Sequence, residues 1–181
     1  PVQDAASQKT CKLPQKYAGR ALLLTTGACA MHCRFCFRQH FPYDGEAGVS
    51  LELAGIAEDP SLREVILSGG DPLSLSDRTW MEIVHFLERE APHVERLRVH
   101  TRFLVGIPER VTPALLDLLG NTRLSVVVVV HVNHPREIDD AVGKALRDLQ
   151  QRGCLMLSQS VLLKGVNDCV EILQELFEKL I

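Results

Sequence analysis

Residues 124–131, Leu124-Ser-Val-Val-Val-Val-Val-His131, decide the fold class of this chain. An almost unbroken run of β-branched apolar residues predicts a strand that is buried on both faces, as in parallel sheets covered by helices. Residues 136–151 then place apolar side chains at helical spacing, and Gly153 is a typical helix stop. One such strand and helix form a β/α unit of about 30 residues.

The same alternation of strand and helix recurs along the chain. Strands are predicted at 21–26, 64–68, 97–101 and 124–131, and a fifth within 155–163. Helices are predicted at 50–58 after a Ser50 cap, after Ser76, from Thr112-Pro113 to about 119, at 136–151, and after Asp168. The pattern predicts an α/β fold with a parallel sheet, which is either an open doubly wound sheet or part of a barrel.

Composition excludes several classes of protein. The 181 residues are 46% hydrophobic and 24% charged, values typical of one folded domain. The net charge of −3 argues against a general nucleic-acid binder. No apolar run approaches the roughly 18 residues that cross a bilayer, and residues 1–14 lack the apolar region of a signal peptide. We therefore expect a cytoplasmic protein that binds neither nucleic acid nor membrane.

The polar residues gather in the segments that follow the predicted strands. These segments are 29–40, 68–71, 101–102, 131–134 and 159–160. Because the C-terminal ends of parallel strands meet at one edge of the sheet, we expect the segments to lie together. Such a cluster of polar residues indicates an enzyme.

Three of the six cysteines lie in the first of these segments. The sequence Cys29-Ala-Met-His-Cys33-Arg-Phe-Cys36 has the spacing CxxxCxxC, and its soft thiolates suit an iron–sulfur cluster or zinc. A zinc site needs a fourth ligand, which His32 or His40 could supply. Three cysteines can instead hold three irons of a [4Fe–4S] cluster and leave the fourth iron open. Structural thiols without a metal are the remaining alternative.

The cysteine spacing, with Phe35 before the last cysteine, resembles the radical S-adenosylmethionine (SAM) superfamily. Further motifs resemble the lysine 2,3-aminomutase family: 36–43 (CFRQHFPY), 68–73 (SGGDPL), 131–135 (HVNHP) and 159–168 (QSVLLKGVND). The form CFRQHFPY is most similar to the branch that acts on a lysine of elongation factor P. The resemblance covers residues 16–181 and leaves 1–15 as a segment of undefined structure. It implies a partial parallel (β/α) barrel, with five of six β/α units in this chain.

The resemblance implies an isomerase that moves the 2-amino group of a lysine to the 3-position. Its cofactors would be a [4Fe–4S] cluster, SAM and pyridoxal 5′-phosphate (PLP): the reduced cluster cleaves SAM, the resulting radical abstracts a substrate hydrogen, and PLP holds the migrating nitrogen. Elongation factor P and a reductant protein such as flavodoxin or ferredoxin would be partners, and a homo-oligomer is left open. The alternatives are a radical SAM aminomutase for another free amino acid and a zinc- or cluster-stabilised binding module.

The matched motifs imply a role for individual residues. The cluster ligands would be Cys29, Cys33 and Cys36. SAM would be contacted by Ser68, Gly69, Gly70, Asp71, His131 and Gln159. PLP would be contacted by Lys16 and Arg20, and the substrate carboxylate would be bound by Arg38. Asn133 is expected to shape a turn, and Cys154 and Cys169 are expected in the core. The family's PLP-anchoring lysine is expected beyond Ile181, so no catalytic residue is assigned and we expect the chain alone to be inactive.

Overall fold

The computed structural model describes residues 13, 17–41 and 49–181. The strands in this part of the chain form one five-stranded parallel sheet: β1 (Arg20–Thr26), β2 (Glu64–Gly69), β3 (Arg96–Thr101), β4 (Ser125–His131) and β5 (Leu155–Gln159). Their order in the sheet is β1-β2-β3-β4-β5. The predicted α/β class with a parallel sheet is confirmed.

Helices follow the strands in the connections. They are α1 (Ser50–Ala57), α2 (Asp77–Glu90), α3 (Phe103–Gly106), α4 (Pro113–Asn121), α5 (Asp140–Gln151) and α6 (Val170–Leu180). Because every right-handed crossover moves to the next strand in the same direction, the helices cover one face of the sheet. A doubly wound sheet reverses its strand order at a switch point, so the consecutive order is that of a barrel wall.

The main core lies between the helix-covered face and the helices. Its strand residues are buried alternate positions: Ala21, Leu23, Val65, Leu67, Leu97, Val99, Val126, Val128 and Val130. Trp80 of α2 is fully buried and donates its indole N–H to the carbonyl of Pro72 at 3.0 Å. Burial of each large side chain contributes about 1.5–3 kcal/mol, so this layer fixes the sheet on which the polar segments stand.

We call the opposite side of the sheet the inner face, because it faces away from the helices. It carries the other alternate strand residues, which are largely polar on β2 and β3: Glu64, Ser68, Arg98 and His100. His131 and Gln159 lie on the same face and are direct register partners on β4 and β5. The inner face, unlike the core, can therefore contact a polar ligand.

Several predicted helix starts agree with the structure. Ser76 accepts a hydrogen bond from the amide of Thr79 at 3.2 Å, and Thr112 accepts one from the amide of Leu115 at 3.1 Å. The prediction for Ser50 is wrong: this residue is the first of α1, and Val49 is the N-cap, without a side-chain hydrogen bond.

Two later helices begin further along the chain than predicted. The predicted Asp168 cap is wrong, because its Oδ1 accepts a hydrogen bond from the amide of Gly165 at 2.9 Å, and Cys169 is the N-cap of α6. Cys169 is also exposed rather than buried. The helix predicted from 136 starts at Asp140, because Asp139 accepts a hydrogen bond from the amide of Val142 at 2.9 Å.

The strand β5 is the last strand of the described sheet. Its side chains Leu155 and Leu157 are 58% and 43% exposed. An unpaired strand edge with exposed leucines favours pairing with another chain, as expected from the sequence. Within the described residues, the longest helices are too short and too polar to cross a bilayer.

Candidate active site

The cysteine loop, residues 27–41, begins where β1 ends and lies at the C-terminal edge of the sheet. Its three cysteines are half-buried. The Sγ atoms of Cys29 and Cys33 point at one oxygen, the carbonyl of Met31, at 3.2 and 3.6 Å. The amide of Cys36 donates to the carbonyl of Cys33 at 3.0 Å, which closes a tight turn. The three predicted ligands thus lie on one short loop, on which Cys29 and Cys33 share the Met31 carbonyl.

The electrostatics around Cys29 and Cys33 favour the protonated form of both thiols. Burial raises the pKa of Cys29, against the hydrogen bond to Met31. Burial also raises the pKa of Cys33, although the nearby Arg102 guanidinium acts in the opposite direction. A metal centre binds thiolates, so loading would release these protons.

The spacing of the side chains bears on the kind of metal. Among residues 13, 17–41 and 49–181, no three His, Cys, Asp or Glu side chains converge as the ligands of a single ion would. Thiolates on one zinc ion lie about 4 Å apart, because each Zn–S bond is about 2.3 Å. Ligands on separate irons of a cluster are spaced more widely than those on one ion.

Two glycines at the end of β2 allow the main chain there to contact the start of the cysteine loop. Gly69 has φ = +122°, and a Cβ there would lie 2.5 Å from the carbonyl oxygen of Thr26. A Cβ at Gly70 would collide with the carbonyl group of Ala28. The amide of Gly70 donates to Thr26 O at 2.7 Å, and that of Asp71 donates to Ala28 O at 2.9 Å. The glycines are therefore required for this close contact between two main chains.

Asp71 is 2% exposed and its carboxylate faces the protein. Its oxygens accept hydrogen bonds from the Thr101 hydroxyl at 2.8 and 3.0 Å and from the amides of Arg102 at 2.8 Å, Phe103 at 3.1 Å and Leu73 at 2.9 Å. Burial raises the pKa of Asp71, and these hydrogen bonds oppose that effect. The carboxylate thus anchors the turn after β3. Of the other predicted SAM contacts at 68–71, the amides of Gly70 and Asp71 donate to the cysteine loop and the Ser68 oxygen accepts from Arg38, so the Ser68 hydroxyl proton and the backbone carbonyl groups are what this segment can offer a ligand.

Aromatic and charged side chains pack around the cysteine loop. The guanidinium of Arg102 pairs with Glu137 at 2.7 Å and lies 5.5 Å from the ring centroid of Phe35. The Phe35 ring in turn lies 5.1 Å from the ring of His131. Burial lowers the pKa of His131, and the charge of Arg102 lowers it further, so this imidazole is neutral at pH 7. The ends of β3 and β4 therefore hold the middle of the cysteine loop.

Two buried side-chain nitrogen atoms beside the loop form no well-aligned hydrogen bond within the described parts of the chain, although the two side chains interact with each other. They are His131 Nε2 and Asn133 Nδ2. Asn133 is 1% exposed and lines a cavity of about 610 Å³, together with Phe35, Leu163 and Val166. A buried amide donor without a well-aligned acceptor costs up to about 1–3 kcal/mol, which a ligand acceptor would recover. Sequence reasoning assigned Asn133 only a turn, because spacing does not show where an amide points.

The described cationic residues of the predicted site lie at opposite ends of the inner face. Arg38 donates to the hydroxyl of Ser68 at 3.1 Å, near the C-terminal end of β2. Arg20 pairs with Glu64, the first residue of β2, at 2.9 Å. Ser68 lies four positions after Glu64 along β2, so the two contacts are about 13 Å apart. Lys16 lies outside the described residues.

Comparison with known proteins agrees with the family that the motifs indicate. No family model matches the chain. The L-lysine 2,3-aminomutase of Haemophilus influenzae is 44% identical over an alignment of 184 positions that covers 99% of this chain and 54% of that protein. The L-lysine 2,3-aminomutase of Escherichia coli is 42% identical over 91% of this chain, and that of Clostridium subterminale 39% identical over 100%. The chain spans about half the length of the curated relatives it matches. The resemblance inferred from the motifs is confirmed.

Proposed function

We propose that this chain, which belongs to the lysine 2,3-aminomutase family, is the part of a radical SAM aminomutase that binds the iron–sulfur cluster and SAM. The observation that carries the proposal is the cysteine loop: three half-buried thiols within eight residues, beside a cavity lined by Asn133, whose buried amide nitrogen has no well-aligned hydrogen bond within the described residues. When bound, the cluster supplies an electron, SAM the hydrogen-abstracting group and PLP the carrier of the migrating amine.

Cys29, Cys33 and Cys36 would hold the cluster as thiolates. Their loop is fixed to the sheet by the main-chain contacts of Gly69 and Gly70 at its start and by the Phe35 ring between His131 and Arg102 in its middle. A fixed loop matters because the open corner of a three-cysteine cluster must present one iron to a ligand in a defined direction.

We propose that SAM lies between the cysteine loop and the ends of β2, β4 and β5. Ser68 and the backbone of Gly69 and Gly70 would contact its polar end. His131 and Gln159, register partners on the inner face, would contribute side chains. Since the Asp71 carboxylate is occupied, it would act by holding the turn at 101–103.

The remaining assignments concern the substrate and PLP. Arg38 would pair with the substrate carboxylate, for which a planar guanidinium is better suited than an ammonium group. Arg20, with Lys16, would contact PLP. The substrate is proposed to be a lysine, because the relatives are named L-lysine 2,3-aminomutase. The form CFRQHFPY favours a lysine of elongation factor P, and a flavodoxin or ferredoxin would supply electrons.

Anaerobic reconstitution with iron and sulfide tests the proposal. We expect about four irons per chain and a visible absorption band that SAM alters. Cys33→Ala should abolish both signals. Cys154→Ala is the matched control, because Cys154 is 5% exposed in the core and outside the loop.

Different outcomes separate the alternatives. One tightly held zinc ion with no response to SAM would replace the proposal with a zinc-stabilised module. Product analysis with lysine and with elongation factor P, in an assay that holds SAM, PLP and a reductant, distinguishes the substrates. Isomerisation by the chain alone would contradict our expectation that it is inactive by itself.

A further inference from the structure

A buried carboxylate lies between two arginines on the inner face, away from the cysteine loop. Glu64 is 1% exposed. Its Oε2 pairs with Arg20 Nε at 2.9 Å, and its Oε1 pairs with Arg98 Nε at 2.7 Å and Nη2 at 2.5 Å. We call Arg20, Glu64 and Arg98 the floor cluster. Arg20 and Glu64 are the first residues of β1 and β2, so the cluster lies toward the N-terminal edge of the sheet, opposite the cysteine loop.

The arrangement leaves donors free on both guanidiniums. Glu64 binds Arg20 through Nε and Arg98 through Nε and Nη2, and no other acceptor within the described residues binds their remaining N–H groups. The Arg20 side chain is 51% exposed and that of Arg98 is 25% exposed, so both can reach a ligand. A guanidinium fixed on one edge offers its other edge in a defined direction.

The charge of the surrounding surface favours an anion. The floor cluster carries one net positive charge. Among the described strand residues of the inner face, Glu64 is the only acid. His100, the next inner-face residue on β3, is neutral at pH 7, because burial and then the charge of Arg98 lower its pKa. Arg38 adds a further cation toward the cysteine loop.

We propose that Glu64 is a positioning residue that directs Arg20 and Arg98 toward one phosphate group, and that Arg98 is a phosphate-binding residue. This inference rests on the proposed function, in which Arg20 contacts PLP, and it adds Arg98 and Glu64 to that site. Phosphate oxygens accept two parallel N–H bonds from a guanidinium, so two arginines held on one carboxylate match a dianion. About 13 Å of strand separates the floor cluster from Ser68, which suits an elongated cofactor held by its phosphate end.

Titration of the full chain with pyridoxine 5′-phosphate and with pyridoxine tests the proposal. These probes lack the aldehyde, so they do not react with lysines, and they differ only in the phosphate. The ratio of their dissociation constants, measured by calorimetry, reports the phosphate contact alone. The variants are Arg98→Met, Arg98→Lys, Glu64→Gln and Arg20→Met. Arg78→Met is the matched control, since Arg78 pairs with Glu82 at 3.0 Å on the outer surface of α2.

We expect Arg98→Met and Arg20→Met each to lower the phosphate preference about tenfold or more, as for the loss of a charged hydrogen-bond pair. Arg98→Lys should recover part of the preference, because it keeps the charge but not the fork. Glu64→Gln should lower the preference although both arginines are present. Arg78→Met should leave it unchanged. Urea unfolding of each variant measures any loss of stability separately.

Two results would overturn the inference, and they are distinguishable. If the wild-type chain prefers the phosphorylated probe and the Arg98 and Glu64 variants keep that preference, the cluster is only structural and the proposed function stands. If the wild-type chain shows no preference, the inference and the PLP contact of Arg20 fail together. If Arg98→Met does not fold, the ratio of the two dissociation constants measured for Arg98→Lys and Glu64→Gln decides whether the floor cluster binds the phosphate.

Discussion

Gly70→Ala tests whether the contact between β2 and the cysteine loop is needed to hold the metal site. A Cβ at this position would lie 2.7 Å from the carbonyl carbon of Ala28 and 2.8 Å from that of Gly27. Carbon atoms pack best at about 3.5–4.0 Å, so the two main chains must separate by about 1 Å. Both sides of the contact are backbone, and neither can rotate away.

The expected cost follows from that displacement. Overpacking costs about 1–3 kcal/mol. The separation also weakens two hydrogen bonds, from Gly70 N to Thr26 O and from Asp71 N to Ala28 O, each worth about 1 kcal/mol. We therefore expect the free energy of unfolding to fall by about 2–5 kcal/mol, and iron loading to fall at temperatures where the chain is still folded.

Urea unfolding followed by circular dichroism measures the first effect, and iron per chain after anaerobic reconstitution measures the second. Gly55→Ala is the control, because Gly55 lies inside α1 and, among the described residues, a Cβ there meets only the Leu13 side chain at 3.7 Å. That substitution should stabilise the chain by about 0.5–1 kcal/mol. A Gly70→Ala chain with wild-type stability and wild-type iron content would refute the argument.

Three further predictions concern other parts of the fold. Asp71→Asn should lower the free energy of unfolding by at least about 3 kcal/mol. The reason is that an amide would present its N–H groups to the hydrogen-bond donors of Thr101, Arg102 and Phe103. Equal urea midpoints for the variant and the wild-type chain would contradict this. The lowered pKa of His100 gives stability that is present above pH 6.5 and lost as pH falls through the folded-state pKa. His100→Gln should flatten the decline in unfolding free energy between pH 7.5 and 5.5, and an unchanged slope would count against it. Leu157→Lys, on the exposed edge strand, should reduce self-association in sedimentation velocity without changing the helical signal.

The regular elements could be predicted because their signals are local. The valine run of β4 specifies a strand by itself, and Ser76 and Thr112 cap helices through hydrogen bonds three residues away. The cluster of functional segments at one sheet edge follows from parallel strands alone.

The errors and omissions arise where a partner is distant or a local competitor intervenes. Asp168 is a reasonable cap by type, but the amide of Gly165 competes for its side chain. The carboxylate of Asp71 lies after β2 and its acceptor role depends on the turn after β3, about 30 residues away. Glu64 was predicted only as the start of a strand, because its arginine partners come from two other strands. Pattern reasoning has no access to such contacts.

The backbone contact at Gly69 and Gly70 has a consequence for protein engineering. The main-chain contacts at Gly69 and Gly70 hold the start of the cysteine loop whatever its side chains are. Phe35 and Arg38 hold the rest of the loop through His131, Arg102 and Ser68. A loop of different sequence between Ala28 and Phe41 would keep the same attachment if both glycines, Phe35 and Arg38 are retained. The chain therefore offers a scaffold on which alternative metal-binding loops can be exchanged as cassettes, with the sheet left untouched.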